Sequence, residues 1–248
     1  MSGHNRWTKI KRKKAAAGAA KGNLFTKLIK EITVAARLGG GDPAHNARLR
    51  AAMLAAREAN MPTDNIQRAI KKGTGELGGV SYEEITYEGY GPGGVALLVE
   101  CLTDNRNRTA GDVRATLSKG GGNLASDGAV SWIFQKKGSI AVKPGPGEDR
   151  VMESAIDAGA EDVINQGEEG FEVRTAPQDL HAVAAALEKT GLKLGEQKWI
   201  FVPQNTVRLE GDAARRMLKL MELLEENEDV QNVHANFEID DALIEQMA

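Results

Sequence analysis

The sequence predicts an α+β protein of several domains: a basic N-terminal three-helix bundle, an α/β domain, and a ferredoxin-like βαββαβ domain inserted in it. Three observations carry this reading. Apolar residues recur at helical spacing up to about residue 73 and at period two from residue 82 onward. The charge changes sign at the same place. Residues 1–75 hold 16 Lys or Arg against 4 Asp or Glu, a formal +12, whereas the remaining 16 basic and 31 acidic residues leave −15. Finally, the segments between residues 139 and 202 follow the order strand, helix, strand, strand, helix, strand. A length of 248 residues accommodates two or three such domains.

Composition narrows the class. Charged residues make up 27% and hydrophobic ones 41%, the balance of an ordinary globular protein. The single cysteine, Cys101, has no partner for an internal disulfide, which points to a reducing compartment and a cytoplasmic location. No apolar run approaches the ~20 residues of a membrane helix, and no apolar stretch follows the basic beginning as in a secretory signal. No membrane partner is expected.

Residues 1–22 read as a basic arm. Between Arg6 and Lys30 there are nine Lys or Arg and no acidic residue. Such a run repels itself unless an anion meets it, and each phosphate neutralised would release counterions. The candidate nucleic-acid contacts are Arg6, Trp7, Lys9, Lys11, Arg12, Lys13, Lys14 and Lys21, followed by Lys27, Lys30 and Arg37 on the outer side of the first helix. Trp7 is open to two readings, stacking on an exposed base or packing back onto that helix.

Residues 23–75 form the helical domain. Asn23 is the expected N-cap of a helix to Leu38, with Leu24, Leu28, Ile32 and Ala35 on its apolar face. Gly39 to Gly41 end it. Asp42 and Pro43 then suit the start of a second helix, with Leu49, Met53 and Ala56 inward and Arg50 and Arg57 outward. A third starts at Met61-Pro62-Thr63, buries Ile66, Ala69 and Ile70, and stops at Gly73. Tight connections make these a small bundle.

A Gly-rich boundary at residues 76–80 leads into the α/β domain, residues 80–136 plus 204–248. Its expected strands are Tyr82 to Glu88, Val95 to Leu102 and Ala129 to Gln135, the last with Val130, Trp132 and Phe134 at alternate positions. A helix is expected from Thr109 to Lys119. The inserted domain, residues 137–203, has strands at 139–142, 162–165, 170–174 and 192–202 and helices at 148–158 and 176–190. A strand at 206–209, a helix at 212–226 and a strand at 230–237 then complete the sheet begun at Tyr82.

The search for chemistry finds no catalytic set. His4, His45, His181 and His234 lack metal-ligand spacing, and Cys101 falls mid-strand as inert core. No metal, cofactor or small-molecule substrate is expected. The acidic run Glu225 to Asp229 reads as a solvated helix end. The glycines of Gly89 to Gly94 precede a strand, Val95 to Val99, so a hairpin turn is favoured over a phosphate-cradling loop. The segment Thr103 to Thr109 lies between a strand and a helix, where backbone N–H groups face an anion. Arg106 and Arg108 there have two uses: contact to an external phosphate, or pairing with Asp104, Asp112 or Glu100.

Several of these stretches together resemble the YebC/PmpR family, which includes the mitochondrial translational activator of cytochrome c oxidase. The matching residues are GHNRWTKIKRKKAAAGAAKG (Gly3 to Gly22), FTKLIKEITVAARLGGGDP (Phe25 to Pro43), RLRAAMLAAREANMPTDNIQRAIKKGTG (Arg48 to Gly75), YEGYGPGG (Tyr87 to Gly94) and TDNRNRT (Thr103 to Thr109). The usual Gly-His-Ser-Lys-Trp opening is Gly3-His4-Asn5-Arg6-Trp7 here, which keeps the charge and the aromatic ring. The resemblance implies three domains and a non-enzymatic regulator of gene expression. Members are described as probable transcriptional regulators that bind promoter DNA, or as translation factors on the ribosome. The residues themselves favour nucleic acid, read through backbone and shape, since no recognition helix of base-reading side chains stands out. A DNA-binding transcriptional regulator is thus the first expectation. A ribosome-associated translation factor is its alternative. A protein-interaction scaffold, with the acidic inserted domain as the docking surface and the arm only solubilising, is a further one.

Overall fold

The computed structural model describes residues 19–78 and 81–240. The described residues divide into two compact units, one of residues 19–78, 81–133 and 203–240, the other of residues 134–202.

In the first unit, helix α1 runs Ala19–Gly39, α2 Ala47–Glu58 and α3 Thr63–Gly73. Their common core is aliphatic, with Ile32, Leu49, Ala56, Ile66 and Ala69 all almost fully buried. Two expectations are corrected here. Asn23 is not an N-cap, because α1 already includes Ala19 to Gly22; a helical glycine costs only about 1 kcal/mol, which tertiary contacts outweigh. Nor does Leu24 join the core, being 39% exposed.

The start of α2 is corrected as well. Asp42 closes a local turn, its Oδ1 accepting the Ala44 N–H at 2.9 Å, and Asn46 is the N-cap, accepting the Leu49 N–H at 3.0 Å. Asn46 is buried and its Nδ2 donates to Ala35 O at 2.7 Å and Gly40 O at 2.8 Å, so one amide ends α1 and begins α2. Gly39 makes room for it: a Cβ there would lie 2.7 Å from Asn46 Nδ2. At Gly73 a Cβ would collide with Thr33 O and come within 3.2 Å of Arg37 N, so α3 closes backbone-to-backbone on α1.

The body of this unit is a four-stranded sheet in the order β3-β1-β2-β9, where β1 is Glu83–Tyr90, β2 Ala96–Thr103, β3 Asn123–Leu124 and β9 Val230–Ala235. The hairpin β1–β2 is antiparallel from Glu83 opposite Thr103 to Tyr90 opposite Ala96. Gly89 to Gly94 therefore serves as the end of a strand and a short 3-10 turn, with Gly93 and Gly94 at positive φ. Strand β2 also pairs antiparallel with β9, with a bulge at Glu100/Cys101. Helix α4 (Arg106–Lys119) and a later helix, Gly211–Glu226, pack Val113, Leu117, Met217, Met221 and Leu224 onto one sheet face. Strands β8 (Val207–Leu209) and β10 (Phe237–Ile239) pair in parallel beside it.

The expected strand at Ala129 to Gln135 is a further correction. Residues 131–133 form a 3-10 turn and the strand begins only at Phe134, leaving Trp132 66% exposed. The cause is Glu88, a buried carboxylate on β1. It accepts the N–H groups of Gly128, Val130 and Ser131 at 2.8, 2.6 and 2.9 Å and gathers that backbone into a loop. Burial pushes the Glu88 carboxyl up, but these backbone bonds outweigh it and hold it below the usual carboxylate value.

The second unit has the element order β4 (Phe134–Val142), α5 (Glu148–Asp157), β5 (Asp162–Asn165), β6 (Phe171–Thr175), α6 (Leu180–Lys189) and β7 (Leu194–Pro203, ending at the unit boundary). Its sheet order is β5-β6-β4-β7. Ile140, Val151, Val173, Val183 and Leu187 form its core. The helix Gly211–Glu226 is numbered α7.

Gly73→Ala should test the close approach of α3 to α1. An added methyl against the Thr33 carbonyl forces the helices apart, and we expect a loss of about 1–3 kcal/mol in urea unfolding with little change in helical signal.

Candidate nucleic-acid interface

Of the sequence-predicted contacts, Arg6, Trp7, Lys9, Lys11, Arg12, Lys13 and Lys14 lie outside the described residues. The others divide into two groups. Lys21 and Arg37 are exposed; Lys21 Nζ sits 5.7 Å from the Phe25 ring centre, and Arg37 donates to Ser81 Oγ. Lys27 and Lys30 point into the protein, contrary to the expected outer basic face. Lys27 Nζ donates to Glu225 O at 2.6 Å, and Lys30 is only 7% exposed. With Asn23, whose Nδ2 donates to Glu226 O at 2.6 Å, they form a stripe at positions i, i+4 and i+7 of α1.

That stripe faces the end of α7. The last carbonyls of a helix lack internal partners and carry its negative pole, and α7 has no basic residue in its own last turn. Helix α1 supplies the missing donors. Lys30 Nζ also donates to Glu228 O at 3.0 Å and pairs with Asp229 Oδ1 at 2.6 Å, both side chains being almost fully buried. The Tyr82 ring lies 5.8 Å from the same ammonium.

Asp229 corrects the reading of Glu225 to Asp229 as a solvated helix end. Its Oδ2 accepts from Arg108 Nη2 at 2.8 Å and from Thr109 Oγ1 at 2.7 Å. Thr103 Oγ1 lies 2.7 Å from Thr109 Oγ1 and accepts the Asn105 N–H at 2.9 Å. Burial alone would raise the Asp229 carboxyl, but the bonds from Arg108, Lys30 and Thr109 hold it down at about 2. Of the two uses open to Arg108, internal pairing is the observed one, with Asp104 at 2.8 Å as well as Asp229. Helix α4 starts at Arg106 rather than Thr109, with Asn105 as cap accepting the Arg108 N–H at 3.1 Å. Arg106 remains exposed, 3.9 Å from Glu83. Asp229 went unrecognised because nothing local distinguishes it from its acidic neighbours.

The exposed cations of α1 to α3 are Lys21, Arg37, Arg50, Arg57, Arg68, Lys71 and Lys72. Arg68, Lys71 and Lys72 were not singled out above, although they lie outside the apolar stripe of α3. The approach of Gly73 to the Arg37 backbone brings Lys71 and Lys72 to the same end of the bundle as Arg37.

Among the described residues, no group of three or more His, Cys, Asp or Glu is placed to hold a metal ion. Cys101 is buried in β2, where loss of water pushes its thiol up to about 12. No described helix is long and apolar enough to cross a membrane.

A helical part with exposed cations joined to a mixed α/β body, with a second α/β unit inserted, is an α+β multidomain arrangement. Comparison gives its family. Residues 5–76 match the TACO1/YebC N-terminal domain and residues 82–237 the TACO1/YebC second and third domains, so the chain belongs to the TACO1/YebC family. It is 68% identical to a probable transcriptional regulatory protein of Myxococcus xanthus, over 100% of this chain and 99% of that one. A protein of the same description from Geobacter sulfurreducens is 58% identical, covering 96% of each chain. The crystal structure of a conserved hypothetical protein from Aquifex aeolicus superposes with a TM-score of 0.82 at 49% identity, covering 90% and 92% of the two chains.

The seam predicts a pH dependence with a definite sign. The folded carboxyl of Asp229 lies near 2, below its ordinary 3.8, so its contribution is complete above about pH 4 and is lost as pH falls towards 2. That contribution is about 2 kcal/mol, and urea unfolding of wild type and Asp229→Asn across this range should differ by it. Near neutral pH, Asp229→Ala should cost about 3–5 kcal/mol because Lys30 is left buried without a carboxylate. Lys30→Met should cost less, since Asp229 keeps Arg108 and Thr109.

Proposed function

We propose that the protein is a non-enzymatic, nucleic-acid-binding regulator of gene expression that acts on promoter-like duplex DNA. The observation that carries this is the separation of charge: +12 over residues 1–75 against −15 over the rest. The exposed cations of α1 to α3 extend that basic character onto folded surface, and the description of the relatives as probable transcriptional regulatory proteins supports the same reading. The binding set is Arg6, Trp7, Lys9, Lys11, Arg12, Lys13, Lys14, Lys21 and Arg37, now with Lys71 and Lys72. Lys27, Lys30 and Arg108 drop out as primary contacts because they hold the seam. We take the working domains to be the arm, the helical domain, the discontinuous α/β domain and an inserted ferredoxin-like domain whose strand order 2-3-1-4 suits that fold. The site of action is the cytoplasm.

A second reading is a ribosome-associated translation factor bound to ribosomal RNA. The make-up of the surface favours it: Lys and Arg on helix ends suit phosphates and shape more than base edges.

Charge reversal tests both, and is better than truncation because α1 already extends back to Ala19. Lys13→Glu with Lys14→Glu, and separately Lys71→Glu with Lys72→Glu, should each weaken binding roughly tenfold or more at low salt and flatten the salt slope. Sequence-selective binding to duplex DNA supports the transcriptional role. Ribosome binding that depends on these lysines, with only indiscriminate duplex binding, supports the translational one. Unchanged affinity for both targets overturns the proposal.

A further inference from the structure

On the 134–202 unit, α5 leaves two large apolar side chains in water one turn apart: Met152 is 42% exposed and Ile156 69%. The opposite side of α5, with Val151 and Ala155, is fully buried in the unit's core, so the exposed pair is surplus to folding. Between this helix and β5 lies a groove of about 150 Å³. Met152, Ile156, Ala160 and Val163 line it, with Glu161 and Asp162 at its rim. Strand β5 is an outer strand of the sheet, so no further strand covers that side.

The charge around the groove is one-sided. Residues 148–169 contain eight acidic side chains and one basic one, Arg150. Arg150 turns away to Thr190 O, 2.8 Å distant, and Glu161 is paired with Lys137 at 2.7 Å. Asp149, Glu153 and Asp157 are exposed and form no ion pair among the described residues. An apolar groove within an acidic rim selects a partner with the opposite pattern: apolar anchors at i, i+3 or i+4 and i+7 on a helix otherwise rich in Lys and Arg. We propose that the α5–β5 groove is a docking site for a cationic amphipathic helix of a protein partner. This goes beyond the nucleic-acid reading, because it uses a different unit and the opposite charge.

The probe is a fluorescein-labelled synthetic 18-residue peptide of Leu and Lys with the leucines at helical spacing, titrated into the full-length protein without nucleic acid. Binding should be saturable and weaken with salt, and amide NMR shifts should concentrate on residues 149–163. The decisive variants are Ile156→Asp and Met152→Glu, which remove an apolar anchor while adding negative charge. If the groove docks the helix, each weakens binding roughly tenfold or more. If the peptide only follows net charge, each strengthens it, which overturns the proposal. Equal binding of a peptide of the same composition without an apolar face overturns it too. So does concentration-dependent self-association of the free protein that Ile156→Asp abolishes, because the occupant would then be a second copy. Both positions are exposed, and unchanged urea unfolding of the variants establishes that the fold survives.

Discussion

The first unit depends on a buried ion pair. Lys30 and Asp229 are drawn out of water together, and removing two charges from solvent costs several kcal/mol each unless every bond they had to water is replaced. Here the replacement is extensive. Asp229 accepts from an ammonium on one oxygen and from a guanidinium and a hydroxyl on the other, while Lys30 also reaches a backbone carbonyl. The helical core and the sheet core are separate clusters of buried apolar residues. Directional bonds help to hold α1 on the body. Arg48 adds to them, reaching Glu31 with two nitrogens at 2.7 and 3.0 Å and Glu84 on β1 at 2.6 Å.

The polar character of the seam has a geometric reason. Strand β2 must reach β9 across a bulge at Glu100/Cys101, and the Asp229 carbonyl accepts the Leu102 N–H at 2.8 Å just beyond it. That fixes the α7–β9 connection in space, with the carbonyl end of α7 facing α1. Something must donate to those carbonyls, and α7 carries no cation at its own end. A stripe of Asn23, Lys27 and Lys30 on another helix meets the need and the dipole together.

Much of this architecture was legible in the sequence, and the failures share one cause. Helices α2, α3, α5 and α7, the hairpin β1–β2 and the return of β9 to the first sheet follow from periodicity and turn residues, which are local. The start of α1 was misplaced because Gly22 weakens a helix locally, whereas Asn23 and Lys27 are held by residues about 200 positions away. Asp42 and Asn46 are equally good caps on paper; only the approach of Asn46 to Ala35 O and Gly40 O decides between them. Val130, Trp132 and Phe134 imitate a strand, but the carboxylate that bends them belongs to Glu88. Lys30 looked like surface because an amphipathic helix with a second partner shows no mark of it within its own turns.

This misreading has a consequence for how affinity is distributed. Counting every Lys and Arg of the first 75 residues as available to a polyanion overstates the surface, since Lys27, Lys30 and Arg48 are committed to the protein itself. Arg37, Lys71 and Lys72 are of another kind. Each lies in the last turn of its helix, where the dipole favours a cation with or without a ligand. Their place in the fold therefore needs no partner, and a phosphate arriving there meets charge that is already positioned and does not have to be ordered first. Under the proposed function a salt slope counts every cation that meets a phosphate, and only substitution separates the folded helix ends from the rest.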